Sequence, residues 1–266
     1  MGSTKTVNTI LLGAQILKVL ADGTSRLEDI YRQVGLSKST THRILKSLAQ
    51  TGLAFQHPVA HTYHVGPLLL QISAKTPTLH RLLIVSAADE MRRLQAAHHE
   101  TALLIIPVGD RRLVLKELPS DQEICFSLGE GSTMPICVGS SGRVILSQYD
   151  DQTLQKLFAH LDIPPEASNF MSDPELRMKE INEIRRQGYA LNRGETRPDV
   201  TGISVPVTGY VCPVALSLFG PKFRYNPLDA RSDIRESAER ISAKIRSAIG
   251  QTGASRDVRH GQKDNG

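Results

Sequence analysis

The segment 36–48, LSKSTTHRILKSL, constrains the fold more than any other, because it combines a one-sided apolar stripe with a basic opposite face. The stripe residues recur at three- and four-residue spacing, as in a helix with one buried face; they are Thr41, Ile44, Leu45 and Leu48. Ser37 is a natural N-cap for this helix, since its hydroxyl accepts from first-turn amides. The other face carries no carboxylate and consists of Lys38, Ser39, Thr40, His42, Arg43 and Lys46. Such a face suits an anionic partner, although a merely solvated surface explains the stretch equally well when it is taken alone.

Two shorter helices are predicted before this segment. Residues 8–21 are apolar at helical spacing and form the first of them. The second covers residues 25–34, where Ser25 and Glu28 have the spacing of a capping box. A tight turn at Gly35-Leu36 then leads into the third helix, which is the arrangement of a helix-turn-helix.

A β-hairpin is predicted directly after the third helix, with strands at 53–57 and 61–65. A helix-turn-helix followed by such a ribbon is typical of a winged helix, whose last helix enters the major groove of DNA. His57, His61 and His64 lie on the ribbon, but their spacing places them on different faces and no acid or thiol joins them. We therefore expect no metal there, and a contact with water or DNA phosphates instead.

The positive charge of the chain is concentrated in this N-terminal part. The formal net charge is +5 at neutral pH. Residues 1–66 hold seven Lys or Arg against three Asp or Glu, whereas residues 67–250 hold 22 of each. A basic small module joined to a neutral large one indicates that the small module binds a polyanion, here double-stranded DNA.

The larger part of the chain mixes helices and strands. Residues 67–99 are predicted as helix with a break at Pro77, which cannot continue a straight helix and so creates a joint. Strands are predicted at 100–108, 111–118, 122–128, 188–191, 202–207 and 211–220, and helices at 139–149, 151–161, 173–187 and 227–249. This order indicates an α+β domain with an antiparallel sheet. Residues 251–266 lack apolar periodicity and are predicted to be disordered.

The sequence lacks the motifs of common catalytic and cofactor sites. GSSG at 139–142 is not a nucleophile elbow, because its second glycine comes one position too early. No Walker loop, GxGxxG or HExxH motif occurs, and the three widely separated cysteines form no CxxC pair. We therefore expect no catalytic residues, no cofactor and no metal.

The sequence also lacks the features of a membrane or secreted protein. No apolar run approaches the ~20 residues of a membrane span, and the first ten residues lack the apolar core of a signal peptide. We expect a cytoplasmic protein without a membrane partner.

Two polar stretches are candidate ligand sites. Glu195 and Asp199 lie beside Arg193 and Arg197, where a surface ion-pair cluster, a ligand pocket and, least of all, an acid–base pair are open alternatives. In residues 129–146, small residues precede an apolar helix whose free first-turn amides offer an anion site. A tight turn with serine caps is the alternative explanation for that stretch.

Three stretches resemble the isocitrate-lyase-regulator (IclR) family of bacterial transcription factors. The first is GLSKSTTHRILKSLAQTGLAF (35–55) with TYHVG (62–66), and the second is GSTMPICVGSSGRVILS (131–147). The third is RRQGYALNRGETRPDVTGISVPV (185–207) with VALSLFGP (214–221). The chain departs from the common family pattern at Cys137, Arg143, Asp199 and Gly202, around the presumed ligand pocket. The resemblance therefore does not identify the effector.

The resemblance implies an N-terminal winged helix-turn-helix (1–66), a linker helix (67–80), a GAF-like effector-binding domain (81–250) and a tail (251–266). It implies a ligand-responsive repressor or activator that acts as a homodimer or tetramer on a palindromic operator. The expected DNA-binding residues are Ser37, Lys38, Ser39, Thr40, Thr41, His42, Arg43, Lys46 and Tyr63. The expected contacts of a small organic-acid effector are Met134, Cys137, Ser140, Ser141, Gly142, Glu195, Asp199, Ser204 and Ser217. A metabolite-binding enzyme and an architectural DNA binder without effector response are the alternatives.

Overall fold

The computed structural model describes residues 8–75, 79–159, 161, 173–195 and 197–260. The chain divides into two compact units, Met1–Leu79 and His80–Gly266. The joint that we predicted at Pro77 lies outside the described residues. No helix of the described ranges is both long and apolar enough to cross a membrane.

The first unit contains the predicted three helices and hairpin. Its elements are α1 (Asn8–Ala21), α2 (Leu27–Val34), α3 (Lys38–Gln50), β1 (Ala54–Gln56), β2 (Tyr63–Val65) and α4 (Pro67–Lys75). The strands β1 and β2 pair antiparallel, with Phe55 opposite His64. The apolar stripes of the three helices meet in one core, in which Ile16, Ile30 and Leu45 are fully buried.

The turn between α2 and α3 and the start of α3 follow the prediction. Gly35 ends α2 with φ +68°, a left-handed conformation that glycine adopts without the steric cost of a Cβ. The Ser37 hydroxyl accepts from the amide of Thr40 at 3.2 Å and caps α3. The capping box at Ser25 is wrong, because α2 begins only at Leu27. The Ser25 carbonyl instead accepts from the Tyr63 amide at 2.7 Å, which ties the hairpin to the helices.

The second unit is an α+β domain built on a six-stranded sheet. Its helices are α5 (Leu79–His98), α6 (Gly139–Ser147), α7 (Asp151–Phe158), α8 (Pro174–Gln187) and α9 (Arg231–His260). Its strands are β3 (Thr101–Val108), β4 (Arg111–Leu118), β5 (Thr133–Pro135), β6 (Ala190–Asn192), β7 (Val200–Val207) and β8 (Val214–Pro221). The strand order is β5-β4-β3-β8-β7-β6 and every neighbouring pair is antiparallel, as predicted.

Both faces of this sheet are covered, which explains why β3 reads as an unbroken apolar run. Leu103 and Ile105 face a core shared with α6, α7 and α8. Leu104 and its alternate neighbours face a second core shared with α5 and α9. All nine residues of α6 are buried. A Cβ at Gly142 would lie 2.0 Å from the Ile136 carbonyl oxygen, so only glycine permits this packing.

Two of the predicted segments have another structure. The strand at 122–128 is wrong: this segment, described throughout, contains no strand. Side chains satisfy its backbone, because Glu117 accepts from the amides of Leu128 and Gly129 at 3.1 and 2.7 Å. Residues 251–260, for which we predicted disorder, continue α9, since extending a formed helix costs less than nucleating one. Residues 261–266 lie outside the described residues.

Candidate functional site

The outward side of α3 forms one continuous polar surface, the recognition face. Its members are exposed except for Thr40, which is half-buried; they are Lys38, Ser39, Thr40, His42, Arg43 and Lys46. Glu28 of α2 lies 3.5 Å from the Lys38 ammonium, a neighbour that the sequence of α3 alone did not reveal. Exposed pairs of this kind contribute about 0–1 kcal/mol, so a phosphate can take the place of Glu28.

Ser37 organises the leading end of the recognition face. Its hydroxyl donates to the Thr40 hydroxyl at 2.9 Å and lies 3.1 Å from the Ser39 hydroxyl. The three hydroxyls are therefore linked at the start of α3, where the helix dipole favours a negative charge.

Two of the predicted DNA-binding residues, Thr41 and Tyr63, have side chains that lie in the core of the first unit. Thr41 is 0% exposed because it lies on the buried stripe of α3. Tyr63 is 3% exposed, since the inward side of β2 packs against the helices. Burial also raises the pKa of the Tyr63 phenol. The exposed wing side chains are instead those of neighbours such as Phe55, His64 and Val59.

The wing histidines have local roles in the hairpin. His57 Nδ1 accepts from the amides of Val59 and Ala60 at 3.3 and 3.1 Å, which fixes the wing turn. His64 Nε2 lies 3.0 Å from the Thr62 hydroxyl. Within the described ranges, no three metal-binding side chains come together.

In the second unit, a small cavity lies beside the first turn of α6; we call it the α6 cavity. Its lining residues come from five strands, the first residue of α6 and the loops at 122–130 and 193–199; they are Arg112, Phe126, Leu128, Met134, Gly139, Asn192, Arg197, Val200 and Phe219. The free volume is about 10 Å³, which is room for about one water molecule. Val138 precedes α6 without making a side-chain cap, and Gly139, the first residue of α6, lines the cavity.

Arg112 is the most unusual residue of this cavity. It is 4% exposed, donates to the Ser141 hydroxyl in the first turn of α6, and has its second terminal nitrogen 3.4 Å from the Met134 sulfur. Its Nε has no hydrogen-bond partner among the described residues. Burial, together with the charge of Arg143, lowers the pKa of Arg112 to about 10, so the side chain is still cationic at neutral pH.

Asn192 and Arg197 complete the polar part of the lining. Asn192 is 1% exposed and donates from Nδ2 to the Val200 carbonyl at 3.1 Å. Its Oδ1 is buried and accepts no hydrogen bond from the described part of the chain. The exposed Arg197 places its guanidinium 5.5 Å from the centre of the Phe126 ring.

The predicted effector serines are mostly engaged with one another. Ser204 lies 2.8 Å from both the Ser140 and the Ser217 hydroxyl, and all three are 0% exposed. This chain of hydroxyls connects α6 to β7 and β8 and does not line the α6 cavity. Ser141 contributes differently, because it holds Arg112.

The predicted acidic contacts and the thiol are also not among the residues that line the cavity. Glu195 binds Arg143 at 2.8 Å, and Arg143 in turn lies 3.0 Å from Glu180. Burial raises the pKa of Glu195, but the charge and hydrogen bond of Arg143 outweigh it and the net shift is downward. Asp199 is exposed, and Cys137 is buried in the core, where desolvation raises the thiol pKa.

Of the predicted effector residues, therefore, Met134 lines the cavity and Ser141 supports it. Sequence reasoning missed Arg112, Phe126 and Asn192, and it named Arg197 only as a neighbour of Glu195 and Asp199. For Arg112 there was a signal: it alternates in phase with Val114 on the inward face of β4, where a cation is unexpected.

Comparisons with known proteins agree with this architecture. Residues 12–58 match the model of the IclR helix-turn-helix domain, and residues 76–245 match that of the bacterial transcriptional regulator IclR C-terminal domain. The chain belongs to the IclR family of transcriptional regulators. The predicted resemblance is thereby confirmed, and this IclR-family chain is a helix-turn-helix regulator with an effector-binding domain and not an enzyme.

Individual IclR relatives cover most of the chain. BhcR of Paracoccus denitrificans is 26% identical over 81% of this chain and 79% of its own length. TtgV of Pseudomonas putida is 26% identical over 94% of this chain and 95% of its own length. Among solved structures, an IclR regulator from Alicyclobacillus acidocaldarius has a TM-score of 0.71 at 25% identity, covering 90% of this chain and 99% of that one. An IclR homologue from Microbacterium hydrocarbonoxydans complexed with 4-hydroxybenzoate has a TM-score of 0.73 at 22% identity, with the same coverage.

Proposed function

We propose that this regulator binds a palindromic operator through the recognition face of α3, two copies at a time, as a repressor or activator that responds to a small organic acid. The observation that carries the DNA-binding part is the recognition face itself. It presents three exposed cations and several hydroxyls on a rigid helix whose opposite side is fully packed.

The residues of the recognition face fall into two chemical groups. Arg43 carries the planar guanidinium that pairs with the major-groove edge of guanine, and Ser39 and Thr40 hydroxyls serve either base edges or phosphates. Lys38 and Lys46 are point charges that anchor the DNA backbone on either side. Reading and anchoring groups on one helix are what a sequence-specific contact requires.

A single recognition face makes too few contacts for a tight complex at physiological salt. Two faces related by a two-fold axis would read two half-sites about one helical turn apart, and the operator would then be palindromic. A homodimer, or a tetramer made of two dimers, meets this requirement.

The α6 cavity supports the effector part of the proposal. Its charged lining residues within the described structure are Arg112 and Arg197, with no carboxylate among them. An anionic metabolite suits such a lining, and the relative solved with 4-hydroxybenzoate holds an organic acid. A ligand that prefers one of two arrangements of the protein shifts DNA binding by its difference in affinity.

The direct test is gel retardation of the DNA upstream of the protein's own gene, with and without candidate organic acids. We expect the protein to retard this DNA at low salt. The fraction of retarded DNA should change when the acid that acts as effector is added. The control is the same protein with Lys38, Arg43 and Lys46 all replaced by Ala, which should stay folded by circular dichroism and lose retardation. A folded wild-type protein that leaves this DNA unshifted in dilute buffer would contradict the proposal.

A further inference from the structure

We infer that the wing, the hairpin of residues 53–66, couples DNA binding to proton uptake, because His61 and His64 offer a charge to DNA phosphates only when they are protonated. This inference rests on the proposed DNA binding of the first unit and adds regulation by pH to it. The affinity for DNA should rise as the pH falls from 8 to 6, since histidine ordinarily gains its charge in this range.

The wing has no permanent charge of its own. It contains no Lys, Arg, Asp or Glu, but it contains His57, His61 and His64, and all three are exposed. Its first strand begins at Ala54, shortly after α3 ends, and packs against α3. When α3 lies in a major groove, a ribbon attached to it lies beside the phosphates at the edge of that groove. Any charge that the wing offers to these phosphates must come from its histidines.

The carboxylates of the first unit do not pair with the wing histidines. The acidic residues of this unit are Asp22, Glu28 and Asp29. Glu28 pairs with Lys38, and none of the three forms an ion pair with a wing histidine in the described structure. The helices packed against the wing, α1 and α3, contribute Lys18 and the cations of the recognition face. DNA therefore supplies an anion that the wing histidines do not have in the free protein.

The contacts of the three rings distinguish their roles. His57 Nδ1 accepts from two amides of the wing turn, so this ring cannot take a second proton without breaking both contacts. His64 Nε2 lies 3.0 Å from the Thr62 hydroxyl, which can accept from a protonated ring or donate to a neutral one. The exposed His61 ring makes no hydrogen bond within the described structure. His61 and His64 can thus take up a proton without losing a contact, whereas His57 fixes the turn.

Proton uptake on binding makes the affinity depend on pH with a definite sign. The state that holds more protons is favoured as the pH falls, and here that state is the DNA complex, because phosphates stabilise the protonated rings. An exposed ion pair changes an equilibrium constant by roughly 1.4-fold to fivefold. Two histidines in each of two bound copies therefore predict a gain in affinity of at least about fourfold.

The test is quantitative retardation of the upstream DNA by the full-length protein at pH 6 and at pH 8, each at several salt concentrations. We expect the wild-type affinity to be at least about fourfold higher at pH 6. The slope of log K against log salt concentration should also be steeper at pH 6, by about 0.9 for each protonated histidine on a phosphate. Lys and Arg keep their charge over this range, so the cations of the recognition face cannot produce either change.

Matched variants assign the effect to the two rings. His61→Asn suits the left-handed backbone there, where φ is +54°, and His64→Gln keeps a polar group near the position of Nε2. The protein with both changes should lose the fourfold factor between the two pH values, while His42 of the recognition face stays as a constant background. His64→Lys carries a permanent charge and should raise the affinity at pH 8. His57→Asn is the control, because its Oδ1 can accept in place of Nδ1, and it should keep the full pH dependence.

The outcomes separate this inference from the proposed function. Circular dichroism at both pH values establishes that each protein is folded. Equal wild-type affinity at pH 6 and pH 8, or a pH dependence that persists in full in the protein with both His61→Asn and His64→Gln, overturns the inference while DNA binding stands. Failure of the folded wild-type protein to retard this DNA at either pH overturns the proposed function, and the inference with it.

Discussion

Arg43 is exposed near the middle of α3 and has no ion-pair partner within the described ranges. If it pairs with a guanine, replacing it with Ala removes a bidentate contact that is worth about 1–3 kcal/mol on the operator. The loss on random DNA should be much smaller. Quantitative retardation on both DNAs measures the difference, with Lys46→Ala as the comparison, whose loss should be similar on both. If Arg43→Ala lowered the affinity for operator and for random DNA equally, Arg43 would contact a phosphate and not a base.

Tyr63 is predicted to contact DNA, but its side chain is buried in the first unit. Because its ring is buried in the core of the first unit, Tyr63→Phe should keep both the fold and the DNA affinity. Tyr63→Ala should destabilise this unit by about 3–5 kcal/mol through the cavity it leaves. Denaturation monitored by circular dichroism measures the stability of both variants, and DNA retardation measures their affinity. If a fully folded Tyr63→Phe protein bound DNA more weakly than wild type, the Tyr63 hydroxyl would be shown to take part in DNA binding.

Among the elements of the second unit, α5 and α9 are joined through one buried carboxylate. Glu90 Oε2 lies 3.2 Å from Arg93 Nε and 2.9 Å from Arg240 Nε, and it accepts from the Ser237 hydroxyl at 3.2 Å. Burial raises the pKa of Glu90, but the two arginines and the serine outweigh burial, so the pKa lies below its usual value of 4.5. The folded state therefore binds the Glu90 proton less readily than the unfolded state does.

The sign of this shift gives a pH-dependent prediction. Because the pKa of Glu90 is lower in the folded than in the unfolded state, ionised Glu90 stabilises the fold, and this stabilisation is complete above pH 4.5. It is lost as the pH falls through the pKa of the folded state. Glu90→Gln should cost about 1.5–3 kcal/mol at pH 7, since it replaces hydrogen bonds to a charged group. In denaturant titrations, the difference from wild type should shrink steadily below pH 4.5. Glu236→Gln is the control, because this carboxylate is 60% exposed in its pair with Arg240 and should change stability by less than about 0.5 kcal/mol. A pH-independent difference for Glu90→Gln would contradict the argument.

The elements that the sequence predicted correctly are those whose burial shows in the local order of apolar and polar residues. The stripe of α3 and the apolar run of β3 are of this kind, because solvent exposure alone sets their pattern. The missed features depend on single long-range contacts. The 122–128 loop is fixed by Glu117, and the start of α2 depends on Ser25 binding Tyr63. For Arg112 the sequence indicated only an inward position on β4, and its contact with Ser141 of α6 required the structure. Such contacts leave no periodic trace in a sequence.

The two parts of the chain, residues 1–66 and 67–250, differ in net charge. The excess of cations lies within residues 1–66, whereas residues 67–250 balance cations and anions. The N-terminal part is thus attracted to DNA of any sequence, and the balanced part is not. Salt should therefore weaken DNA binding through the first unit while leaving the stability of the second largely unchanged.

The salt dependence of DNA binding also indicates how many copies of the protein bind one operator. Each phosphate contact contributes about −0.9 to the slope of log K against log salt concentration. If Lys46 anchors a phosphate in every bound copy, Lys46→Gln should reduce the slope by about 0.9 for one copy, 1.8 for two and 3.6 for four. We expect about 1.8 on a minimal palindrome, measured by retardation between low and physiological salt. Lys18→Gln removes the same charge from the exposed side of α1, outside the recognition face, and should leave the slope unchanged. A reduction near 0.9 would mean that one copy suffices, and equal effects of the two lysines would mean that overall charge, not the recognition face, sets the affinity.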